Sequence, residues 1–227
     1  HVPMGDVAKA SRVLARSAPF FPEGTVHCVV VDPGVGSERC AVALRCGGHI
    51  FVGPDNGVFT ATIAALGESV EVRMIENESL MRTPVSHTFH GRDIFAPVAA
   101  ALASGADFNS VGDALDALRC PNGSMFEWQG DHWTGRVIEI DTFGNLITNI
   151  PVSEVTARYR VEIASVHLDG PSPSYTAVDV GALLVSNGSN GTVEISCRDG
   201  SASGVLQIGV GHSLACFPES GGTGSPP

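Results

Sequence analysis

The chain has 227 residues, 43% of them hydrophobic and 16% charged, with a formal net charge of −11 and a single lysine, Lys9. A chain of this length buries a sizeable core without disulfide or metal staples, and its composition is that of a folded globule rather than a disordered chain. The acidity argues against nucleic acid or an anionic membrane as partner, since both need basic patches, and no apolar run is long enough to cross a bilayer.

Helix and strand signals alternate through the first half. "DVAKASRVLARSA" spaces Val7, Ala10, Val13 and Leu14 at helical intervals, with Asp6 as the expected N-cap. "TVHCVVVD" reads as a continuous apolar strand buried on both faces. "AVALRC" and "HIFVG" form a strand pair around the turn Gly47-Gly48, "NGVFTATIAALG" a helix stopped by Gly67, and "VEVRMI" another strand. "GRDIFAPVAAALASG" is a helix broken or started near Pro97 and closed by Gly105. Residues 1–122 are therefore expected to form an α/β domain with a largely parallel sheet.

Past Cys120-Pro121-Asn122-Gly123 the pattern changes to short alternating strands: "GRVIEID", "NLITNI", "YRVEIASVHLD", "GALLVS", "GTVEIS" and "SLACF". These predict a small antiparallel β-barrel domain over residues 127–217, with Trp128 and Trp133 as hydrophobes at the domain junction. The remaining 218–227 is rich in Gly, Ser and Pro and reads as a disordered tail. The six cysteines, Cys28, Cys40, Cys46, Cys120, Cys197 and Cys216, include no CxxC pair. They read as buried thiols of a reducing compartment, hence a cytoplasmic protein, rather than as a disulfide or zinc framework.

Three stretches could carry chemistry. "VVVDPGVGSER" sets Asp32 at the C-terminal end of a strand, where α/β sheets place ligands, and Arg39 across a glycine turn. It is neither a dinucleotide fingerprint, since Arg39 stands at the third glycine position, nor a P-loop. Alone it reads first as an Asp-Pro turn with a surface arginine. "VSHTFHGRDIF" carries His87, Thr88, Phe89 and His90 ahead of Gly91, with Arg92 unassigned and Asp93 a first-turn carboxylate complementing the helix dipole. "IDTFGNLITNI" places Asp141, Phe143 and Asn145 around Gly144, a pattern that a hairpin turn explains without any ligand. Asn56 in "GPDNG" reads as a turn and cap residue, and His27, His49, His132, His167 and His212 as structural or surface groups.

Taken together, "FFPEGTVHCVVVDPGVGSER", "FVGPDNGVFT", "TFHGRDIFAPVAAALASG", "IDTFGNLITNI" and "GTVEISCRDGSA" resemble the SAM hydroxide adenosyltransferases, relatives of the adenosyl-fluoride and adenosyl-chloride synthases. The resemblance covers almost the whole chain, which opens on His1 as though one strand into the family's pattern. It implies an α/β domain followed by a β-barrel, and a homotrimer with sites between subunits. It further implies that Asp32, Arg39 and His90 match a water-activating triad and that Thr88 and Phe89 line the wall beside ribose C5′. Asp141 falls at the methionine ammonium, Ser189 at the methionine carboxylate, Asn145 at adenine, and Tyr175 at a stacking position, with Phe143 in the same binding set. S-adenosyl-L-methionine is then the substrate, and neither metal nor cofactor is expected.

These residue types suit hydrolysis of a sulfonium. Methionine departs as a neutral thioether, so no acid is needed, and a dry pocket favours the charge annihilation between incoming hydroxide and sulfonium. His90 is the proton acceptor or hydrogen-bond partner of the water, Asp32 fixes its tautomer or polarises the water, and Arg39 keeps Asp32 ionised and oriented or steadies the developing hydroxide. A carboxylate at this point repels halide, and the halide-using synthases carry Tyr rather than His before the glycine or serine. Halide alkylation of the same substrate, or a non-catalytic nucleoside-binding or assembly role, are the alternatives.

Overall fold

A computed structural model of the chain describes residues 2–67, 69–118 and 126–219. Two compact units follow one another, His1–Gly123 and Ser124–Pro227. His1, Cys120 and Asn122, and the expected tail from residue 220 on, lie outside the described residues.

In the first unit α1 (Val7–Ser17) starts where Asp6 accepts a hydrogen bond from the Lys9 amide at 2.8 Å, satisfying one of the helix's orphan donors. β1 (Val26–Cys28), β2 (Ala41–Cys46), β3 (His49–Pro54), α2 (Thr60–Leu66), β4 (Val70–Met74) and α3 (Ala96–Ala103) follow. Gly47 and Gly48 both have positive φ, the backbone a two-residue hairpin between β2 and β3 demands. That hairpin makes β2 and β3 antiparallel; β4 pairs antiparallel with β2, and β1 pairs parallel with β3, in the order β1-β3-β2-β4. The sheet is thus mixed, with one parallel pair, where the alternating helix and strand signals suggested mostly parallel strands.

Period-2 alternation sorts its side chains onto two faces. Val42, Leu44 and Phe51 pack with Ala10 and Leu14 of α1, whereas Ala43 and Val52 pack with Phe95, Val98 and Leu102 on the α3 side. Ser11 Oγ accepts from the Ala61 amide at 3.0 Å and ties α1 to α2. The run "TVHCVVVD", read as buried on both faces, instead stands at the sheet's edge, with Cys28 exposed and Val30 44% exposed. Cys46, Cys197 and Cys216 are buried as expected, and the five described cysteines are all free.

In the second unit β5 (Glu127–Trp128), β6 (Trp133–Ile140), β7 (Leu146–Pro151), β8 (Tyr159–Ile163), β9 (Val166–Gly170), β10 (Leu183–Asn187), β11 (Thr192–Cys197), α4 (Ala202–Leu206) and β12 (Ser213–Pro218) build one antiparallel sheet capped by a short helix. Its order is β10-β11-β7-β6-β12-β8-β9, with β5 beside β6. The two ends nearly meet: the Ser172 amide donates to Val185 O at 2.8 Å, and a methyl on Gly170 would strike the Val185 side chain. The barrel expected of residues 127–217 therefore forms around Val137, Leu146, Tyr159, Val161, Val185 and Ile195. Trp133 is a member of that core, its Nε1 donating to Glu154 O at 2.9 Å, and Trp128 packs on it at 5.1 Å. Among the described residues no helix is long and apolar enough to cross a membrane.

Candidate active site

Beyond β1 the chain stays close to β3. The Val29 amide donates to Val52 O at 2.9 Å, and a Cβ on Gly53 would lie 2.3 Å from Val29 O, so only glycine admits this approach. Asn56 then holds the residue before Asp32: its Nδ2 donates to Val31 O at 2.9 Å while its Oδ1 accepts from the Val58 amide at 3.2 Å. The sequence marked Asn56 as a turn residue. Its second bond, which fixes the approach to Asp32, had no sequence signal.

The glycine turn after Asp32 folds back through Val35 N to Asp32 O and Ser37 N to Gly34 O, at 3.2 and 3.0 Å. Gly36 has φ +79°, and a methyl there would sit 2.7 Å from His87 O, so this turn lies directly against the loop that precedes His90. Arg39 closes the arrangement. Its Nε reaches both Asp32 oxygens at 3.1 and 3.0 Å, and its Nη2 donates to Asp32 Oδ2 at 2.5 Å. The two side chains are each 5% exposed, and the guanidinium carbon lies 5.2 Å from the Phe95 ring centroid.

The same Arg39 Nη2 is 2.7 Å from Nδ1 of His90. A guanidinium only donates, so Nδ1 must accept, and the imidazole is neutral with its proton on Nε2. Burial pushes the His90 pKa down, and the Arg39 charge adds to that, with Asp32 opposing. Asp32, Arg39 and His90, named from separate stretches, thus form one contiguous group.

His90 stands at the start of a π-helical turn, Gly91–Phe95, that runs into α3; such turns cluster at functional sites. Asp93 within it is fully buried and accepts from Ser86 N at 2.9 Å and from Arg92 Nε and Nη2 at 2.7 and 3.0 Å. The Arg92 hydrogen bond, followed by that from Ser86, lowers its pKa to about 2. A role limited to the helix dipole is therefore too small: Asp93 latches the loop carrying Ser86, His87, Thr88 and Phe89. Phe89 is 58% exposed with Arg92 above its ring at 5.0 Å, and Thr88 is exposed beside it.

In the second unit Asp141, Phe143 and Asn145 occupy the turn between β6 and β7. Asp141 Oδ1 accepts from the amides of Phe143 and Asn145, each at 2.9 Å, and Oδ2 accepts from Asn145 Nδ2 at 2.9 Å. Gly144 has φ +85°, and any side chain there would collide with Ser201. Phe143 projects outward, 76% exposed, while Asn145 is buried. From Asn145 the bonding continues: Nδ2 donates to Tyr175 Oη at 3.4 Å, Tyr175 Oη to Glu194 Oε1 at 3.3 Å, and Ser196 Oγ to the same oxygen at 3.1 Å. Tyr175, Glu194 and Ser189 line one depression of about 590 Å³. Asp141, Asn145 and Tyr175 are brought together; Ser189 is exposed on that depression's wall. Glu194 was missed, because inside "GTVEIS" it reads as an ordinary outward residue of a strand. Among the described residues no cluster of three His, Cys, Asp or Glu side chains could hold a metal ion.

A (R)-S-adenosyl-L-methionine hydrolase of Salinispora tropica is 38% identical over 222 residues, 94% of this chain and 82% of that protein. A fluorinase of Actinoplanes is 30% identical over 172 residues, 64% of this chain and 57% of that protein. The crystal structure of an uncharacterized conserved protein from Thermotoga maritima superposes with a TM-score of 0.84 at 38% identity, covering 95% of this chain and 86% of that one. Family profiles for the SAM hydroxide adenosyltransferase N-terminal and C-terminal domains match residues 1–112 and 135–215. By these matches, and with its Asp32, Arg39 and His90 in contact, the chain belongs to the SAM hydroxide adenosyltransferase family.

Proposed function

We propose that the protein hydrolyses S-adenosyl-L-methionine to adenosine and L-methionine by attack of water on ribose C5′. The observation that carries this reading is the contiguous Asp32–Arg39–His90 group, whose Asp32–Arg39 ion pair is nearly buried, taken with the hydrolase relative that matches 94% of the chain. In such a group Arg39 fixes the orientation of the Asp32 carboxylate. Asp32 Oδ1 accepts a single hydrogen bond from Arg39 and retains a lone pair for the water proton. His90, its Nδ1 taken by Arg39, offers Nε2–H to the water oxygen. Of the roles open to the pair, this reading takes Asp32 as the group that polarises the water and His90 as its hydrogen-bond partner. The water is then held by one acceptor and one donor, leaving a lone pair for carbon, and orientation of this kind supplies much of the rate. Thr88 and Phe89 wall the ribose, Asp141 and Ser189 take the methionine ammonium and carboxylate, and Phe143, Asn145 and Tyr175 take the adenine.

The relative's name specifies the (R) compound, so the two sulfonium epimers are to be supplied separately. Incubation in ¹⁸O water should release methionine and adenosine with the label in the adenosine 5′ oxygen. Label elsewhere excludes attack at C5′, and halo-adenosine formed on adding fluoride or chloride would favour alkylation of halide. Absence of any product with either epimer would leave a binding or assembly role. The reading also entails a cytoplasmic homotrimer with sites between subunits, no cofactor, and no nucleic-acid or membrane partner. The net charge of −11 supports the last point. Light scattering for subunit number and full activity in excess chelator test the others.

A further inference from the structure

Arg92, to which its sequence context gives no role, touches two parts of the segment around His90. Its Nε donates to Asp93 Oδ1 at 2.7 Å and its Nη2 to Oδ2 at 3.0 Å, and its guanidinium carbon lies 5.0 Å from the centroid of the Phe89 ring. A fork onto both oxygens of one carboxylate fixes the planar head at two points. The Arg92 side chain is 52% exposed while Asp93 is fully buried, so the carboxylate rather than packing holds the guanidinium where it is.

Phe89 needs such a hold. Its carbonyl accepts from the Arg92 and Asp93 amides, both at 3.0 Å, so its backbone is fixed by the π-helical turn. Its ring is more than half exposed, and a ring with so little packing exchanges among staggered rotamers unless something restrains it. A guanidinium over the ring supplies that restraint through cation–π attraction. We infer that Arg92 is a positioning residue of the reaction: anchored on Asp93, it holds the Phe89 ring in place as the wall beside ribose C5′. Asp93 then serves the site twice, through the Ser86 amide to the loop backbone and through Arg92 to the ring. The inference rests on the proposed substrate, which is what sets ribose against Phe89.

The test is a double-mutant cycle of Arg92→Lys and Phe89→Leu, read in kcat and KM for S-adenosyl-L-methionine, with thermal melts of all four proteins. A lysine ammonium still meets the Asp93 carboxylate but cannot lie flat on the ring while doing so. Arg92→Lys should therefore melt close to wild type while kcat falls by about 10-fold and KM changes far less. In the Phe89→Leu background the same substitution should change kcat by less than about 2-fold, because the ring through which Arg92 acts is gone. Equal losses in both backgrounds, a loss that tracks the melting temperature, or a wild-type rate in Arg92→Lys each overturn the inference. Should Arg92→Lys fail to fold, Arg92→Gln, whose amide can still donate to Asp93, takes its place in the cycle. Wild-type protein that does not turn over S-adenosyl-L-methionine refutes the proposed activity instead, and the ring is then followed directly. With 4-fluorophenylalanine in place of phenylalanine, the ¹⁹F signal that Phe89→Leu removes should move toward the free amino acid's position in Arg92→Lys. That movement upholds the hold of Arg92 on Phe89, and an unmoved signal sinks it.

Discussion

The two units handle polarity in opposite ways. The first encloses full charges: Asp32 and Arg39 are nearly dry, and their cost of desolvation is met by a three-bond contact and by His90. The second spreads one carboxylate over the amides of a tight turn and extends it through neutral groups, Asn145 and Tyr175, to Glu194. The difference teaches where function and stability should separate. On the proposed function, loss of a partner in the first unit should remove chemistry, whereas loss in the second should loosen recognition.

The largest break is expected in the first unit. Arg39→Ala should lower kcat by about 10²–10³-fold, the range for losing a preorganised charged donor, and Arg39→Lys should not restore it, because an ammonium cannot span Asp32 and His90. His90→Ala should lower kcat by roughly 10²-fold or more with KM for the substrate little changed. A rate in either variant equal to wild type would dissolve the contrast between the units. Gly36→Ala, which changes no charge, should cost about 1–3 kcal/mol in denaturant melts and lower kcat, through a positive φ and the clash with His87 O.

Asp141→Ala sharpens the other side. Stranding the Phe143 and Asn145 amides should cost about 1–3 kcal/mol of stability and raise KM, with kcat reduced far less than by Arg39→Ala. The smallest effects are in pH. Protonated His90 cannot accept from Arg39, so kcat/KM should rise with pH below 6.5, through a pKa lowered from the ordinary value, and level off above it. Its neutral form is favoured in the folded state, so the associated stability is complete above pH 6.5 and declines as pH falls. Asp93 acts on a different window: its stabilisation is present above pH 3.8 and is lost as pH drops toward about 2, and Asp93→Asn should flatten that limb of the melting curve.

The sequence could be read for residue type and punctuation but not for meeting points. Asp32, Arg39 and His90 stood out because charged or titratable groups sit beside Gly and Pro in "DPGVGSER" and "FHGRD". Their contact spans 51 residues, and it depends on Gly36 lying against His87 and Gly91 against Val30. A Gly-Gly turn announced the β2–β3 hairpin, yet nothing in an apolar strand states its direction, and so β4 proved antiparallel to β2. "TVHCVVVD" has the composition of a central strand and an edge position, because periodicity reports side-chain faces and says nothing about which neighbours a strand has. Tyr175 and Glu194 join Asn145 from 30 or more residues away, in a sheet whose register is set by the whole barrel.

Arg39 has one further consequence. A guanidinium keeps all its hydrogens throughout the physiological range, so it can carry an electrostatic influence from Asp32 to His90 but cannot pass a proton between them. The two groups are neighbours in field and strangers in exchange. Any hydrogen ion liberated beside Asp32 must therefore depart by way of solvent or product, and turnover should slow in deuterium oxide only as far as that exit limits it.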